Sequence, residues 1–559
     1  MAFRSLSCIA LGLLLAGSPA GAAYDGGTRP DDPVPTLPHP HDGVLKPGVL
    51  TAQDDINAGT VDLPTLFYRG MHLYTNRYTT DDGFGEGPTG PRRRKLSLAG
   101  GTISPFLRFN GLDAQGCFEC HSAMGSTRHG DLSMPRESGS IGSGAGFSAN
   151  VFIFEEPDDM TRGIVRNPPH NFGLGYIQRL SDEMTSDLLD IADEALREAV
   201  ATGVPSRKAL VSKGVGFGYI TASSVGALDR SEVQGVSLDM VVRPFQFKGI
   251  ASSLRNFIAG AVNFHFAIQP RELLERGFID DDAQGAYHEM LEGEVSAIAI
   301  FLAAMRPPAV DERQLDSAST ARGRALMDTV GCTVCHVPSL RIRDPRVTIL
   351  DPRELAIREQ PFRKSAEFVS VFKQVEGEMP PMVPGEFLSE NLAPVVQRTH
   401  ALRKGADERP TGYTFDLNSE DMPDEALPRL PHNADGTIDV PLFSDLRRHR
   451  MGAELADIVP QRTEMRSLTV EPDLFVTRPL WGVADTGPWL HDGRATTLRE
   501  AVVMHAGEGS EANSSVAIFK ALSASEQEDL LNFLRCLRVQ TKAHPAEPFV
   551  PHRTGFHLR

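Results

Sequence analysis

The sequence is poor in cysteine, carries no excess of basic residues and has no long apolar run after its N-terminal segment. Six cysteines among 559 residues are too few for a disulfide-rich scaffold. A net charge of −17 argues against the basic surface that binds nucleic acid. The longest later apolar run covers residues 295–305, whereas a membrane-spanning helix needs about 20 residues. These absences predict a protein that neither binds nucleic acid nor spans a membrane.

Four of the six cysteines lie in two copies of one motif, Cys-x-x-Cys-His, at residues 117–121 and 332–336. The two thiols of such a motif typically add to the vinyl groups of one porphyrin, and the histidine binds the iron. Paired zinc-binding motifs usually lie about 15–20 residues apart, but here Cys332 follows Cys120 by 212 positions. The sequence therefore predicts two covalently bound haem c groups. Their cysteines are Cys117, Cys120, Cys332 and Cys335, and their proximal histidines are His121 and His336.

The N-terminal residues have the pattern of a secretory signal peptide. Arg4 precedes an apolar segment at residues 6–15, and small residues follow at 18–23. This segment is too short to cross a membrane as a stable helix. We therefore expect residues 1–22 to be a signal peptide and the mature protein to be periplasmic, where c-type haem is usually attached.

Composition divides the rest of the chain. Residues 23–60 are rich in proline, aspartate and glycine, which is typical of an extended arm. The two motifs predict haem domains at 61–310 and 311–545, and the second contains a proline-rich insertion at 342–440. Residues 546–559 are expected to be a C-terminal tail. The predicted fold class is mainly α, with two cytochrome c-like haem lobes packed face to face and long loop-rich insertions.

Apolar periodicity and capping residues predict several helices. Ser181 is the expected N-cap of the first, and Ser525 with Glu528 has the spacing of a capping box at the start of the last. The predicted helices cover 181–201, 283–305, 319–328 and 525–539.

Five segments carry a resemblance to a known family: 166–175 (RNPPHNFGLG), 441–452 (PLFSDLRRHRMG), 478–482 (RPLWG), 486–494 (TGPWLHDGR) and 498–508 (LREAVVMHAGE). Together they resemble the dihaem oxidoreductases. That family is related to the bacterial dihaem cytochrome c peroxidases and to the methylamine-utilisation dihaem enzyme. The resemblance runs in patches through most of the chain, and its C-terminal block is the most specific part. It implies an enzyme of the peroxidase type with two haem cofactors.

The resemblance implies a second axial ligand for the iron at His336. In dihaem peroxidases this ligand, often methionine, lies fourteen residues beyond the histidine of a His-x-Gly signature, which is His491 here. The same offset leads to His505, beside Met504. We expect a His336/His505 iron; the alternative is that His505 only forms hydrogen bonds in the core or at the surface.

A calcium site between the haems is also implied by the resemblance. The peroxidases bind Ca²⁺ through an asparagine side chain and two carbonyls of a Thr-x-Pro segment. The matching positions are Asn167 and the carbonyls of Thr486 and Pro488, and oxygen donors suit a hard cation. The alternative is that Asn167 caps a turn and no metal binds.

The position opposite His121 has no histidine where the family's pattern expects one, a few residues before Asn167. Met160, His129 and His170 are the candidates to close it. Without such a ligand, the first iron has an open sixth position, as a peroxidase requires.

Two residues that follow the 166–175 segment are candidates for chemistry at that open position. Glu183 is expected to shuttle a proton during peroxide cleavage, and Gln178 is expected to donate a hydrogen bond; alternatively, Glu183 is an exposed helix residue. Related enzymes also place a tryptophan from the first half between the haems. This chain has none there, so either Trp489 or Tyr176 would replace it or electrons would tunnel directly. The alternative role for Trp481 and Trp489 is packing in the core near the second haem.

These features predict an exported enzyme that reduces hydrogen peroxide at the His121 haem. Electrons from a small cytochrome c or copper protein would enter at the His336 haem. Two alternatives stay open. One is an electron-transfer module in which both irons are six-coordinate. The other is an enzyme that uses O₂ to oxidise an organic molecule.

Overall fold

The computed structural model describes most of the chain between residues 51 and 538. The described residues are 51–75, 78, 107–108, 116–117, 121, 150–153, 163–266, 268, 270–272, 289–308, 317–353, 411–419, 422, 429–457, 460–463 and 468–538. The predicted signal peptide, most of the predicted arm, the C-terminal tail and residues 354–410 of the insertion lie outside them. The domain boundaries stay predictions.

The fold is a mixture of helices and strands, so the predicted mainly α fold class is wrong. Helices account for 41% and strands for 17% of the described residues, which give no evidence of two cytochrome c-like lobes. The strands form several small antiparallel sheets. Most strands are two to five residues long, which is too short for a clear alternation of apolar and polar residues in the sequence. Many of them also pair with strands that are distant in the chain, so local patterns do not predict the pairing.

The helices pack through apolar faces that recur at helical spacing. They are α1 (Gln53–Asn57), α2 (Leu63–Thr75), α3 (Leu174–Thr202), α4 (Leu254–Phe266), α5 (Glu292–Ala304), α6 (Ala318–Val330), α7 (Leu498–Val503), α8 (Asn513–Ala521) and α9 (Ala524–Cys536), with 3₁₀ turns at Cys332–Val334 and Ala453–Leu455.

The strands are β1 (Leu107–Arg108), β2 (Asn150–Ile153), β3 (Gly163–Arg166), β4 (Ser206–Ser212), β5 (Val215–Ala222), β6 (Leu228–Asp229), β7 (Leu340–Ile342), β8 (Arg346–Leu350), β9 (Gly412–Asp416), β10 (Ile438–Val440), β11 (Arg448–Arg450), β12 (Gln461–Arg462), β13 (Thr469–Val470) and β14 (Leu474–Val476). Three-stranded sheets have the orders β1-β2-β3 and β4-β5-β6. Four strand pairs complete the set: β7 with β10, β8 with β9, β11 with β14 and β12 with β13.

The predicted helices exist, but their starts are shifted. α3 begins at Leu174, and Ser181 lies buried inside it with its hydroxyl donating to the Gln178 carbonyl (2.9 Å). The last helix is capped by Ser523, with Glu526 completing the capping box, two residues earlier than predicted. The 283–305 and 319–328 predictions correspond to α5 and α6. Ser523 with Glu526 and Ser525 with Glu528 have the same residue types at the same spacing. The sequence alone therefore cannot show which pair caps the helix.

Several pairs of helices approach closely at a glycine, and two of these approaches involve α2 and α6. On α2, a methyl group at Gly70 would lie 2.0 Å from the Ala297 carbonyl oxygen of α5. On α6, a methyl group at Gly323 would lie 2.0 Å from the Asp529 carbonyl oxygen of α9. Only glycine permits backbones to approach so closely. The crossing of α6 with α9 fixes the helix that leads directly into the second Cys-x-x-Cys-His motif.

Buried apolar side chains form a large core and a smaller one. The large core joins α2, α3, α4 and α5 with the β4–β5 hairpin and the strands β7 to β10, and Cys117 packs against it. The smaller core joins α6, α8 and α9 with Phe443, and Cys332 packs against it. No helix in the described part of the chain is long and apolar enough to cross a membrane.

Candidate functional site

The second Cys-x-x-Cys-His motif lies directly after α6. Gly331 ends the helix in the left-handed region (φ +88°), and Cys332–Val334 form one 3₁₀ turn. Neither Cys332 nor Cys335 is in a disulfide. Burial raises the pKa of the Cys332 thiol to about 11. The Cys332 thiol is therefore neutral near pH 7, and neither sulfur of this motif is used in a disulfide.

His336 and His505 face each other, with ring centroids 6.5 Å apart. Nδ1 of His336 donates to the Phe443 carbonyl (2.9 Å), and Nδ1 of His505 donates to the Ala501 carbonyl (2.6 Å). Because carbonyls only accept, each Nδ1 carries the hydrogen and each Nε2 keeps a lone pair for a metal. Two imidazoles bound to one metal at about 2 Å would have centroids about 6 Å apart. The pair fits an iron between the rings.

His505 is positioned by the end of α7. Thr497 and Glu500 form a capping box at the start of this helix, and the chain turns at Met504. The Ser510 hydroxyl then donates to the His505 carbonyl (2.6 Å). Burial lowers the pKa of His505, as it lowers that of His336 to about 4. Both rings are therefore neutral near pH 7, the form that binds metal.

Of the first motif, the structure describes Cys117 and His121; Cys120 lies outside the described residues. Nδ1 of His121 donates to the Pro169 carbonyl (3.0 Å), as Nδ1 of His336 does to Phe443. Burial, with a further contribution from His265, lowers the pKa of His121 to about 4. His121 thus also presents a neutral ring whose Nε2 is left for a metal.

His265, near the end of α4, was not among the residues singled out from the sequence. Its electrostatic effect helps to lower the pKa of His121, as that of His505 helps to lower the pKa of His336. Its sequence context is an apolar helix, so it carries no recognisable spacing. The structure therefore adds His265 to the sequence candidates Met160, His129 and His170 for the position opposite His121.

His170 is buried and follows Pro169 directly. Nδ1 of an imidazole points away from a metal bound at Nε2, so Pro169 lies on the side of His121 remote from such a metal. This placement argues against His170 as the ligand opposite His121. Met160 and His129, the other sequence candidates, lie outside the described residues.

Gln178 is buried in the first turns of α3. Its amide donates to Asp182 (2.9 Å) and to the Ser252 carbonyl (3.1 Å), and its oxygen accepts from the backbone N–H of Leu254 (2.7 Å). Leu254 is the first residue of α4. In this structure Gln178 joins α3 to the start of α4, and its predicted role in peroxide chemistry stays a prediction.

Glu183 is buried rather than exposed, and it is surrounded by donors. Its carboxylate is paired with Lys213 and with Arg179 (3.1 Å), and it accepts from the backbone N–H groups of Arg343 and Asp344 (3.1 Å each). These contacts tie α3, the β4–β5 turn and the segment after β7 together. The predicted proton-shuttling role of Glu183 stays a prediction.

Asn167 joins the two halves of the chain. Its backbone N–H donates to the His491 carbonyl (2.7 Å), and its side-chain amide donates to the Pro488 carbonyl (2.6 Å). The Asn167 Oδ1 atom is buried and has no hydrogen-bond partner. The structure thus brings Asn167 to the segment that contains Thr486 and Pro488, and it leaves one oxygen for a cation.

The aromatic residues considered for a path between the haems lie in different places. Trp481 is buried against Gly173 and lies 6.2 Å from His170 between ring centroids, and its indole donates to the Pro441 carbonyl (2.9 Å). The Trp489 indole donates to Val483 (2.8 Å). The Tyr176 hydroxyl donates to the Leu417 carbonyl (2.9 Å). Trp481 is the tryptophan that contacts the first half, through a glycine that leaves room for its ring.

A charged group that the sequence analysis missed lies beside the second motif. His449 on β11 contacts Asp445 (2.7 Å), Glu511 (2.7 Å) and the Cys335 sulfur (3.7 Å). Burial alone would lower its pKa, but Asp445, Cys335 and Glu511 raise it to about 11. His449 is therefore a cation at neutral pH. Its spacing of four residues from Asp445 was the available signal.

The same group is the candidate metal cluster found among the described residues. Ligand atoms of Cys335, Asp445 and His449 lie within 4.8 Å of one another. Both nitrogens of His449 already contact carboxylates, and a haem bond would use the Cys335 sulfur. The arrangement is better described as an ion-paired imidazolium than as an open metal site.

Comparison with known proteins gives one match. Residues 433–537 match the family described as "Di-haem oxidoreductase, putative peroxidase". This confirms the predicted resemblance for that segment, and such a family implies an enzyme with haem cofactors. The segment contains His449, Trp481, His491 and His505, but neither Cys-x-x-Cys-His motif. No curated protein and no solved structure matches the chain.

Proposed function

We propose that this protein is an exported dihaem c-type oxidoreductase that reduces hydrogen peroxide at the haem of His121, with electrons delivered through the haem of His336. The match of residues 433–537 to a dihaem oxidoreductase family supports the reaction class. The two Cys-x-x-Cys-His motifs support covalent attachment and a count of two.

The pairing of His336 with His505 carries this proposal. Both rings are neutral, both are oriented by a carbonyl on Nδ1, and their separation fits one six-coordinate iron. An iron with two protein ligands has no position for substrate and is suited to electron entry. Substrate chemistry is then assigned to the other site, at His121.

Haem bound at these motifs would supply an iron that passes single electrons and, where a coordination position is open, reacts with peroxide. The protein contributes ligands and their orientation. The carbonyls of Pro169 and Phe443 hold the proximal rings of His121 and His336, fix their tautomers and increase their basicity.

The same proposal includes a calcium ion and a redox partner. Asn167 Oδ1 and the carbonyls of Thr486 and Pro488 would bind Ca²⁺ and tie the first motif's segment to the second half. The electron donor would be a small periplasmic cytochrome c or copper protein. The N-terminal pattern of residues 1–22 supports export.

The test is spectroscopy of the haem-loaded protein in its oxidised, half-reduced and fully reduced states. We expect one bis-histidine low-spin iron in all states and a second iron that is high-spin in at least one. Peroxide should then consume two electrons per molecule, whereas O₂ should not replace it. If both irons stay low-spin in every state and peroxide changes no spectrum, the peroxidase assignment is wrong.

One observation favours a second candidate function. His265 lies near enough to His121 for its charge to act on that ring. If His265 closed the first iron, the protein would be an electron-transfer module without its own substrate. Replacing His265 with alanine separates the two functions: in an electron-transfer module the substitution creates a high-spin first iron that is absent from the wild type.

A further inference from the structure

His449 is a buried histidine of β11 whose two ring nitrogens both face carboxylates. Its Nε2 lies 2.7 Å from Oδ2 of Asp445, and its Nδ1 lies 2.7 Å from Oε2 of Glu511. Because carboxylates accept hydrogen bonds, both nitrogens carry a hydrogen and the ring is an imidazolium. No step of the reaction proposed above uses this cation.

Backbone groups hold both carboxylates in place. The second oxygen of Asp445 accepts from the N–H of Arg447 (3.0 Å), and the second oxygen of Glu511 accepts from the N–H of Arg450 (2.9 Å). Asp445 is buried, whereas the Glu511 side chain is half exposed. We call these three side chains, His449, Asp445 and Glu511, the His449 cluster. It contains one positive and two negative charges, and its Asp445 side is closed to water.

The His449 cluster lies against the second haem-attachment motif. Nδ1 of His449 contacts the Cys335 sulfur (3.7 Å), and ligand atoms of Cys335, Asp445 and His449 lie within 4.8 Å of one another. Cys335 directly precedes His336, the proximal ligand of the proposed second iron. A haem bound through Cys335 would therefore have one edge beside the imidazolium.

The two carboxylates of the cluster come from the segments that hold the axial histidines. Asp445 lies two residues after the residue whose carbonyl orients His336. Glu511 directly follows the serine whose hydroxyl donates to the carbonyl of His505. His449 bridges these two segments, so the same parts of the chain fix the cation and the proposed second iron.

We propose that the positive charge of His449 stabilises the reduced form of the second haem and so sets the potential at which electrons enter the protein. Reduction adds one electron, from the proposed cytochrome c or copper protein, to the iron at His336. This inference rests on the haem attachment proposed for residues 332–336, but it does not depend on peroxide being the substrate. His449 is a positioning residue, since it contacts the attachment cysteine and not the iron.

The charges of the cluster decide the direction of the effect. A positive charge stabilises an added electron, negative charges destabilise it, and both effects are larger where water is excluded. Without the imidazolium, two carboxylates would remain beside the second motif, one of them buried. The second haem would then be harder to reduce, so its midpoint potential would fall. A unit charge about 10 Å away, at an effective dielectric constant of about 20, changes the ratio of reduced to oxidised haem by roughly tenfold.

The experiment uses the full chain loaded with haem and compares H449Q, E511Q and the double variant D445N/H449Q with wild type. Glutamine keeps a hydrogen-bond donor at position 449 but carries no charge. The double variant removes one positive and one negative charge together. R207Q is the control, because it removes a cation from an exposed ion pair with Glu232 (2.9 Å).

Two quantities are measured for each variant. Haem per chain is counted as the pyridine haemochrome, and the midpoint potentials of both haems are measured by spectroelectrochemistry at pH 7. The haem whose spectrum responds to H505G is the second haem.

We expect two haems per chain in every variant, since attachment depends on the cysteines. H449Q should lower the potential of the second haem by about 59 mV, which is roughly a tenfold change in its ratio of reduced to oxidised forms. E511Q should raise the same potential by a smaller amount, because Glu511 is half exposed. D445N/H449Q should return it close to the wild-type value, and R207Q should leave both potentials unchanged.

An unchanged potential of the second haem in H449Q would overturn the inference. An equal fall in D445N/H449Q would also overturn it, because the cause would then be a loss of shape and not of charge. A wild type without two haems would instead contradict the proposed haem attachment, and a lack of reaction with peroxide would contradict only the proposed reaction. If H449Q does not fold, E511Q decides, because the inference requires this variant to raise the potential of the second haem.

Discussion

His336 and His505 lie 169 positions apart in the chain, yet their rings face each other at 6.5 Å with both Nδ1 atoms bound to carbonyls. The distance suits one metal between them, and the neutral rings suit iron. The first motif shares the carbonyl contact, and His265 acts electrostatically on His121 as His505 acts on His336.

Replacing His505 with glycine should open the sixth position of the second iron. We expect a high-spin fraction in its absorption and electron paramagnetic resonance spectra, because the pair loses one imidazole. Millimolar imidazole should restore the low-spin signal by filling the space. The exposed His432 provides the control, since H432G should leave both spectra unchanged. A second iron that stays low-spin in H505G without imidazole would exclude His505 as its ligand.

Removing the Asn167 side chain should abolish the effect of calcium on stability. A bound ion stabilises the folded state by about 2.7 kcal/mol at a hundredfold excess over its Kd, so calcium should raise the melting temperature of wild type. N167A should lose this rise, because the unpartnered Oδ1 is removed. N167D keeps an oxygen and should retain the rise. Thermal unfolding with calcium and with chelator measures both, and an equal rise in N167A would contradict the site.

Replacing Gly323 with alanine should destabilise the protein by about 1–3 kcal/mol, the usual range for an overpacked contact. The added methyl would meet the Asp529 carbonyl oxygen at 2.0 Å and force α6 away from α9. Gly260 on α4 is the matched control, because a methyl there meets no atom within 4 Å. G260A should be neutral or stabilising by up to about 1 kcal/mol. Urea unfolding distinguishes the two, and equal midpoints would contradict the close crossing.

The charge on His449 should contribute stability that disappears at alkaline pH. Its folded pKa is raised to about 11, above the ordinary value of 6.5. The contribution is therefore complete below pH 6.5 and declines between pH 6.5 and 11, by at most about 1.4 kcal/mol per pH unit. The difference in unfolding free energy between wild type and H449Q should shrink over that range. A difference that is constant with pH would show that His449 is not held as a cation.

Local patterns in the sequence were sufficient for much of the chemistry. The Cys-x-x-Cys-His spelling and the segment around His491 led to the family that matches residues 433–537. The helices before and after the second motif were also predicted, because apolar spacing in a helix is local. The fold class was wrong, because pairs such as β7 with β10 join segments that are almost a hundred residues apart.

Buried charged and polar groups were the least predictable. His449 was missed, and the two predictions for Glu183 were an acid–base group and an exposed helix residue. In the structure Glu183 is 3% exposed and is paired with Lys213 and Arg343, which come from two other segments. Whether a charged side chain is buried depends on partners that are distant in sequence, and no local pattern records them.

The sequence by itself determined which residues are able to bind haem, since thiols and imidazoles at fixed spacing define that chemistry. Only the tertiary structure decided which of them meet. It brought His505 to His336 and Asn167 to Pro488. The physical reason is that ligand bonds and ion pairs act over a few ångströms, and that proximity is set by helix crossings and core packing rather than by order along the chain.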